Sequence, residues 1–408
     1  MAFQQGLSGL NASSKALDVI SNNVANATNV GFKLSGTQFT DVYAAALNGA
    51  SAGLQIGIGT QIGQVSQVFN QGNITPTNNP LDVAINGAGF FRMDNGGSVA
   101  YTRNGQFQVD KNGYIVNTQG YQLTGYPASA TGTILPASPS AIYIDTADLM
   151  PAQTTEIAMG LNLDSRSTVP ANAWVAASAN PDPSTYNSST SATIYDSLGN
   201  SHIMTMYFRT AGAGNWSMYT QLDGGATTAA ATPVTFSTTG QLTTAMPLTV
   251  AGLAVTTGAV SPFSVSLDFT SSTQYGSSFG VNKQSQDGFA SGRLSGITVG
   301  NDGVIQGRYS NGQTRNLGQV VLANFANPQG LISLGNNLWG ESPRSGQPLV
   351  GAPQTGSLGQ LTAGSVEESN VDLTAELVNM ITAQRNYQAN AQSIKTQDQI
   401  MQTLVNLR

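Results

Sequence analysis

Both ends of the chain carry an apolar stripe at helical spacing, and the long stretch between them is broken into short runs by turn signals. Side chains three and four apart share one face of a helix, whereas alternation with period two belongs to a sheet. Near the N-terminus, Phe3, Leu10, Leu17 and Val24 recur at intervals of seven, with Leu7, Ser13, Ile20 and Ala27 beside them. This predicts a helix over residues 1–30, stopped at Asn29-Val30-Gly31, where Gly31 can take the left-handed conformation. At the other end, Leu373, Met380, Tyr387, Ile394 and Met401 also recur at intervals of seven. Leu377, Ala391 and Val405 occupy the interleaved row, interrupted by Gln384 and Asp398. Ser369-Asn370-Val371-Asp372 has the form of a capping box, in which an acid three residues on reaches back to a free backbone N–H. At ~1.5 Å per residue this second helix would run about 55 Å.

Between the helices, Asp94-Asn95-Gly96, Lys111-Asn112-Gly113, Asp302-Gly303 and Asn311-Gly312 stand among alternating residues. Asn-Gly and Asp-Gly are strong hairpin signals because the tight turn needs φ > 0. Residues from about 70 to 360 therefore read as nearly all β. A Ser-, Thr-, Ala- and Gly-rich block over residues 148–282, with strands of its own, reads as a domain inserted into another. Residues 31–70, broken by Gly53, Gly57, Gly59 and Gly63, read as an extended connector. The expected organisation is thus multidomain α+β. Segments 1–30 and 366–408 form a paired, coiled-coil-like helical domain. Segments 71–147 and 283–365 form one mainly antiparallel β domain, and 148–282 a second one inserted into it.

Long terminal helices raise an energetic question. Ordering a residue costs about 1–2 kcal/mol, and burying a large apolar side chain returns roughly 1.5–3 kcal/mol. Two helices with one stripe each fall short, since isolated helices are marginal in water. Packing among many copies of the chain would close the gap. Composition agrees: only 9% of residues are charged, and small neutral side chains with 46 glycines suit close, repeated contacts between like surfaces.

Several function classes drop out. A net charge of −6 with scattered Lys and Arg argues against nucleic acid. The chain has no cysteine, which excludes thiolate metal sites and thiol catalysis. No apolar run is long enough to span a membrane, and the N-terminus lacks the regions of a cleaved signal peptide. The single histidine, His202, cannot build a two-histidine metal site and has no Gly-x-Ser-x-Gly elbow with it; it reads as a surface or strand-edge residue. The glycines at 57, 59 and 63 have neither the spacing nor the βαβ context of a dinucleotide fingerprint. Asp110-Lys111-Asn112-Gly113 lacks the ligand spacing of a calcium loop and reads as a hairpin turn. No catalytic residue, cofactor or metal ligand is expected.

The segment Leu17-Asp18-Val19-Ile20-Ser21-Asn22-Asn23-Val24-Ala25-Asn26 through Gly31-Phe32-Lys33 resembles the N-terminal motif of bacterial flagellar rod and hook proteins. Asn79-Pro80-Leu81-Asp82-Val83-Ala84-Ile85-Asn86-Gly87 through Phe91 is similar to a second hallmark, and Tyr101-Thr102-Arg103-Asn104-Gly105 through Gly125-Tyr126 to a third. Glu368-Ser369-Asn370-Val371-Asp372-Leu373 through Asn390, with the ending Leu404 to Arg408, is similar again. In the middle, Ile194-Tyr195-Asp196-Ser197-Leu198-Gly199-Asn200 and Gly307-Arg308-Tyr309-Ser310-Asn311-Gly312 resemble the hook branch, rod proteins being markedly shorter.

The resemblance implies a structural subunit that self-assembles into a flexible helical tube between rod and filament, transmitting torque from outside the cell. It implies export by the flagellar apparatus without a cleaved signal. The implied partners are further copies of the chain, the rod, the hook–filament junction proteins, and the hook cap and export apparatus during assembly; neither nucleic acid nor membrane insertion is implied. Asn22, Asn23, Asn26, Gly31, Phe32, Asn370 and Asp372 are the motif positions. The assembly interface would be Phe3, Leu7, Leu10, Leu17, Ile20 and Val24 on the first helix. On the second it would be Leu373, Leu377, Met380, Tyr387, Ile394, Met401 and Val405. A distal rod subunit of the same family, or a secreted β-rich adhesin or glycan-binding protein, is the alternative.

Overall fold

The computed structural model describes residues 2–42, 57, 59–228 and 231–406. Gly53 of the connector, Ala229 and Ala230 of the alanine–threonine run, and the terminal Leu407-Arg408 lie outside the described residues. Helix α1 covers Ala2–Ala25 and helix α2 covers Leu373–Asn406. Helix α1 stops five residues before the expected end at residue 30. From Asn26 the chain enters turns, with Asn26 Nδ2 donating to the Asn22 carbonyl at 2.9 Å, a local bond that competes with helix continuation. The second helix is capped three residues later than the capping-box reading. Asp372 itself is the cap, accepting from the Thr374 and Ala375 N–H groups at 2.9 and 3.1 Å.

The chain divides into two compact units. The first comprises Met1–Thr146, Gly296–Arg308 and Thr314–Arg408. Its principal sheet is antiparallel, and all four turn signals sit where expected. Gly96, Gly113, Gly303 and Gly312 each have positive φ between consecutive paired strands. The core gathers Phe90, Tyr101, Phe325 and Trp339. Their rings meet edge to face, Phe90 with Trp339 at 5.8 Å and Tyr101 with Phe325 at 4.8 Å, the arrangement that ring quadrupoles favour. The connector is not simply extended. Ser35–Val42 pairs antiparallel with Gly59–Gln67, and this ribbon lies along α1, where Thr60 N donates to Ser8 Oγ at 3.3 Å.

The second unit comprises Ala147–Ser295 with the hairpin tip Tyr309–Gln313. It holds two four-stranded sheets. One contains Glu156–Asn162, Leu248–Leu253, Phe263–Asp268 and Gly280–Gln286; the other contains Ser188–Tyr195, Ser201–Gly212, Asn215–Leu222 and Thr232–Thr235. Met159, Val265 and Leu267 of the first sheet share one core with Ile194, Met206, Phe208 and Trp216 of the second. The sequence expectation ended this block at 282. Gly280–Gln286 pairs along its length with Glu156–Asn162, so the compact unit extends past that point. His202 lies near the start of its strand but not at the surface: it is 5% exposed, held by Asp196 of the preceding turn and by Asp223 at the end of the next strand.

Candidate assembly site at the paired termini

The two helices run antiparallel. Gly6 of α1 faces Ile394 of α2, where a Cβ on Gly6 would come within 3.0 Å of the isoleucine side chain. Near the opposite end, Asn23 Nδ2 donates to Glu376 Oε2 at 3.1 Å. Between these points Gly9 lies against the Asn390 amide, and Ala12 and Ala383 are buried. Small side chains let the backbones approach, so this pairing is made by Gly and Ala more than by the leucine stripe.

That distribution sorts the expected interface residues. Leu10, Leu17, Ile20 and Val24 on α1, and Met380 and Ile394 on α2, are half-buried. Phe3, Leu7, Leu373, Leu377, Tyr387, Met401 and Val405 are exposed. With both helices rising ~1.5 Å per residue, α2 outruns α1 beyond about residue 400, which leaves Met401 and Val405 uncovered. Val378 and Ile381 are exposed as well and were not anticipated. They stand one and four residues after Leu377, so the apolar surface wraps wider than the seven-residue rows.

Below the helices, both termini are tied into the β unit by a polar junction. Asn23 is buried; its Oδ1 accepts from Ser35 N at 3.0 Å and its Nδ2 also donates to the Ser35 carbonyl at 2.8 Å. Asn370 mirrors it from the other terminus. Its Oδ1 accepts from Leu34 N at 2.8 Å, and its Nδ2 donates to the Val68 and Asn70 carbonyls. Phe32 is buried beside them, whereas Asn22 is exposed and Asn26 half-buried. Gly31 has φ +72°, its N–H donates to the Glu367 carbonyl at 2.8 Å, and a Cβ there would meet Asn104 N at 2.6 Å. Only glycine fits that approach.

At the centre, Glu367 is fully buried between two cations. Lys33 Nζ lies 2.6 Å from its Oε1, and Arg103 Nη1 lies 3.1 Å from its Oε2. Gly72 N also donates to Oε1 at 2.9 Å. Lys33 donates further to the Asn70 carbonyl, and Arg103 to the Gly87 carbonyl, with its guanidinium over the Phe90 ring. Burial pushes the Lys33 ammonium below its ordinary value against the pull of Glu367. Arg103 is likewise lowered by burial, with Glu367 opposing. One carboxylate thus joins the residues after α1, the first β segments and the approach to α2. Lys33 and Arg103 lay inside recognised motifs, but nothing local in the sequence indicated that they share a partner more than two hundred residues away. The available hint was two charged residues within motifs of a chain that is 9% charged.

Among the described residues no cluster suited to a metal ion occurs, and no helix is long and apolar enough to cross a membrane.

Four family profiles place this chain, with its tied termini and interrupted β body, among the rod and hook proteins of the bacterial flagellum. They are the flagella basal body rod protein over residues 3–33, and the flagellar hook protein FlgE/F/G D1 domain over 84–163. The flagellar basal body protein FlaE D2 domain matches 162–289, and the flagellar basal body rod FlgEFG protein C-terminal region matches 362–407. The chain is 45% identical over 420 residues to the flagellar hook protein FlgE of Escherichia coli K12, with both chains fully covered. It is 44% identical to that of Salmonella typhimurium over 418 residues, again with full coverage of both. It is 30% identical to that of Borreliella burgdorferi, covering 100% of this chain and 99% of the relative. The fold is similar to the crystal structure of Helicobacter pylori flagellar hook protein FlgE2, with a TM-score of 0.54 and 16% identity, over 72% of this chain and all of that one. The chain belongs to the flagellar hook protein family and is a structural component of the flagellum.

Proposed function

We propose that the chain polymerises into the hook tube through the apolar surface that its own helices leave uncovered. The observation that carries this reading is the exposure of Leu373, Leu377, Val378 and Ile381 on α2, together with Phe3 and Leu7 on α1. In a single chain these side chains face water, and burying each against a neighbouring copy returns roughly 1.5–3 kcal/mol. The partners on this reading are further copies, the rod at one end and junction proteins at the other, with the cap and export apparatus during growth outside the cell. The role is structural rather than catalytic.

The helices hold the tube on this reading, and the inserted unit supplies the outer contacts that shift when the tube bends. Its low charge supports sliding, since weak polar contacts exchange with water at little net cost.

The test is polymerisation of the purified chain viewed by electron microscopy, beside Leu377→Lys. A charge placed in the apolar surface should abolish tubes while the circular dichroism of the β units stays unchanged. Normal tubes from the variant would defeat the proposal.

A further inference from the structure

The chain's one histidine sits in the inserted unit between two carboxylates, far in sequence from the terminal junction. His202 is the second residue of the strand Ser201–Gly212. Its Nδ1 lies 2.6 Å from Asp223 Oδ2, and its Nε2 lies 3.1 Å from Asp196 Oδ2. A neutral imidazole carries one N–H, so it would aim a lone pair at one of these carboxylates. Only the imidazolium donates to both.

Asp196 is fully buried in the turn before the strand. It also accepts from Leu198 N, Asn200 N, the Asn200 amide and, at 2.6 Å, the Thr257 hydroxyl. Thr257 belongs to the segment joining Leu248–Leu253 to Phe263–Asp268 in the opposite sheet. A second bond, Val260 N to Ser197 Oγ at 2.9 Å, fastens the same segment. On the other side, Asp223 Oδ1 accepts from Ile203 N at 2.8 Å, which pins the strand end. The charged groups facing the ring are Asp196, from its own hairpin turn, and Asp223, from the end of the next strand. The segment 254–262 contributes only neutral residues.

We propose that His202 is a pH-operated clasp of the inserted unit, holding its two sheets together at this edge as the imidazolium and loosening them in alkaline medium. Loss of the proton removes the bridge between Asp196 and Asp223. Asp223, half exposed, then gains by turning to water, which frees Ile203 N and weakens the turn that Thr257 and Val260 grip. Burial pushes the ring's proton affinity down, but the bonds and charges of Asp223 and Asp196 outweigh it and hold the pKa above 6.5. A raised folded value gives stabilisation that is complete below the unfolded value and lost as pH rises through the folded one.

A single histidine makes the test unambiguous. In the full-length chain, the imidazole Hε1 resonance should titrate with a midpoint above 6.5. Amide exchange at Val260 and Ile203, corrected for intrinsic base catalysis, should accelerate by up to roughly tenfold per pH unit between 6.5 and that midpoint, the factor a single proton controls, and level off above it. His202→Gln should flatten this dependence. A midpoint at or below 6.5, or the same acceleration in His202→Gln, would overturn the proposal. Should His202→Gln fail to fold, Asp223→Asn keeps the ring and Asp196. It should lower the midpoint, and an unchanged midpoint would equally overturn the clasp.

Discussion

The inserted β unit and the terminal helices treat the same kind of residue in opposite ways. In the inserted unit, alternating side chains from two sheets close on one another, so that Met206, Phe208, Val265 and Leu267 are almost fully buried within a single chain. On the helices, Leu373, Leu377, Val378 and Ile381 stay in water, and the helix–helix contact itself is made by glycine, alanine and two buried polar residues. One region completes its core alone. The other is left open, its apolar surface exposed in the single chain. A sheet sandwich encloses its own interior, whereas two antiparallel helices have two sides and cover only one.

Leu267→Ala and Leu377→Ala test that contrast directly, and substitutions at the junction sharpen it. Glu367→Gln should have the largest effect, a loss of about 3–5 kcal/mol, because Lys33 and Arg103 are left buried without a counter-charge. Urea unfolding of the chain should show the loss in the transition of the first unit, leaving that of the inserted unit in place; a shift of both together would show that the junction supports the whole molecule. Leu267→Ala should cost about 2–5 kcal/mol in the inserted unit, by lost burial and a residual cavity, while tubes still form. Gly31→Ala should cost about 1–3 kcal/mol, since the new Cβ meets Asn104 backbone in a left-handed conformation. Wild-type thermal stability in that variant would mean the turn can relax. Asp372→Ala should remove about 1 kcal/mol through the lost cap, read as faster amide exchange at Thr374 and Ala375. Leu377→Ala should change monomer stability least, by under about 0.5 kcal/mol, because the side chain is already exposed. It should nevertheless raise the concentration needed for polymerisation. A large stability loss in the monomer would place Leu377 in a core of its own chain and remove the contrast.

Much of the architecture is legible in short stretches of sequence. The seven-residue rows locate both helices, and four Asn-Gly or Asp-Gly signals locate four hairpins, because each depends on backbone geometry within a few residues. The asparagines are visible as motif positions, but their roles are not. Asn23 and Asn370 are structural clamps, the first holding Ser35 and Glu376 and the second Leu34, Val68 and Asn70, and sequence spacing carries no record of such pairings. The same holds for Gly6 and Gly9. A helical rule counts them as breaks in the stripe, yet Ile394 and Asn390 of α2 lie directly against them.

By itself, then, the sequence determined what is local: helices at both ends, hairpins between them, an inserted β block, and the family motifs that mark a flagellar hook subunit. Which apolar residues face each other, which remain exposed, and how one buried glutamate comes to bind a lysine and an arginine were decided only in the tertiary structure. Burial and charge pairing depend on distances set by the whole chain, and those distances exist only once the sheets and helices have closed on one another.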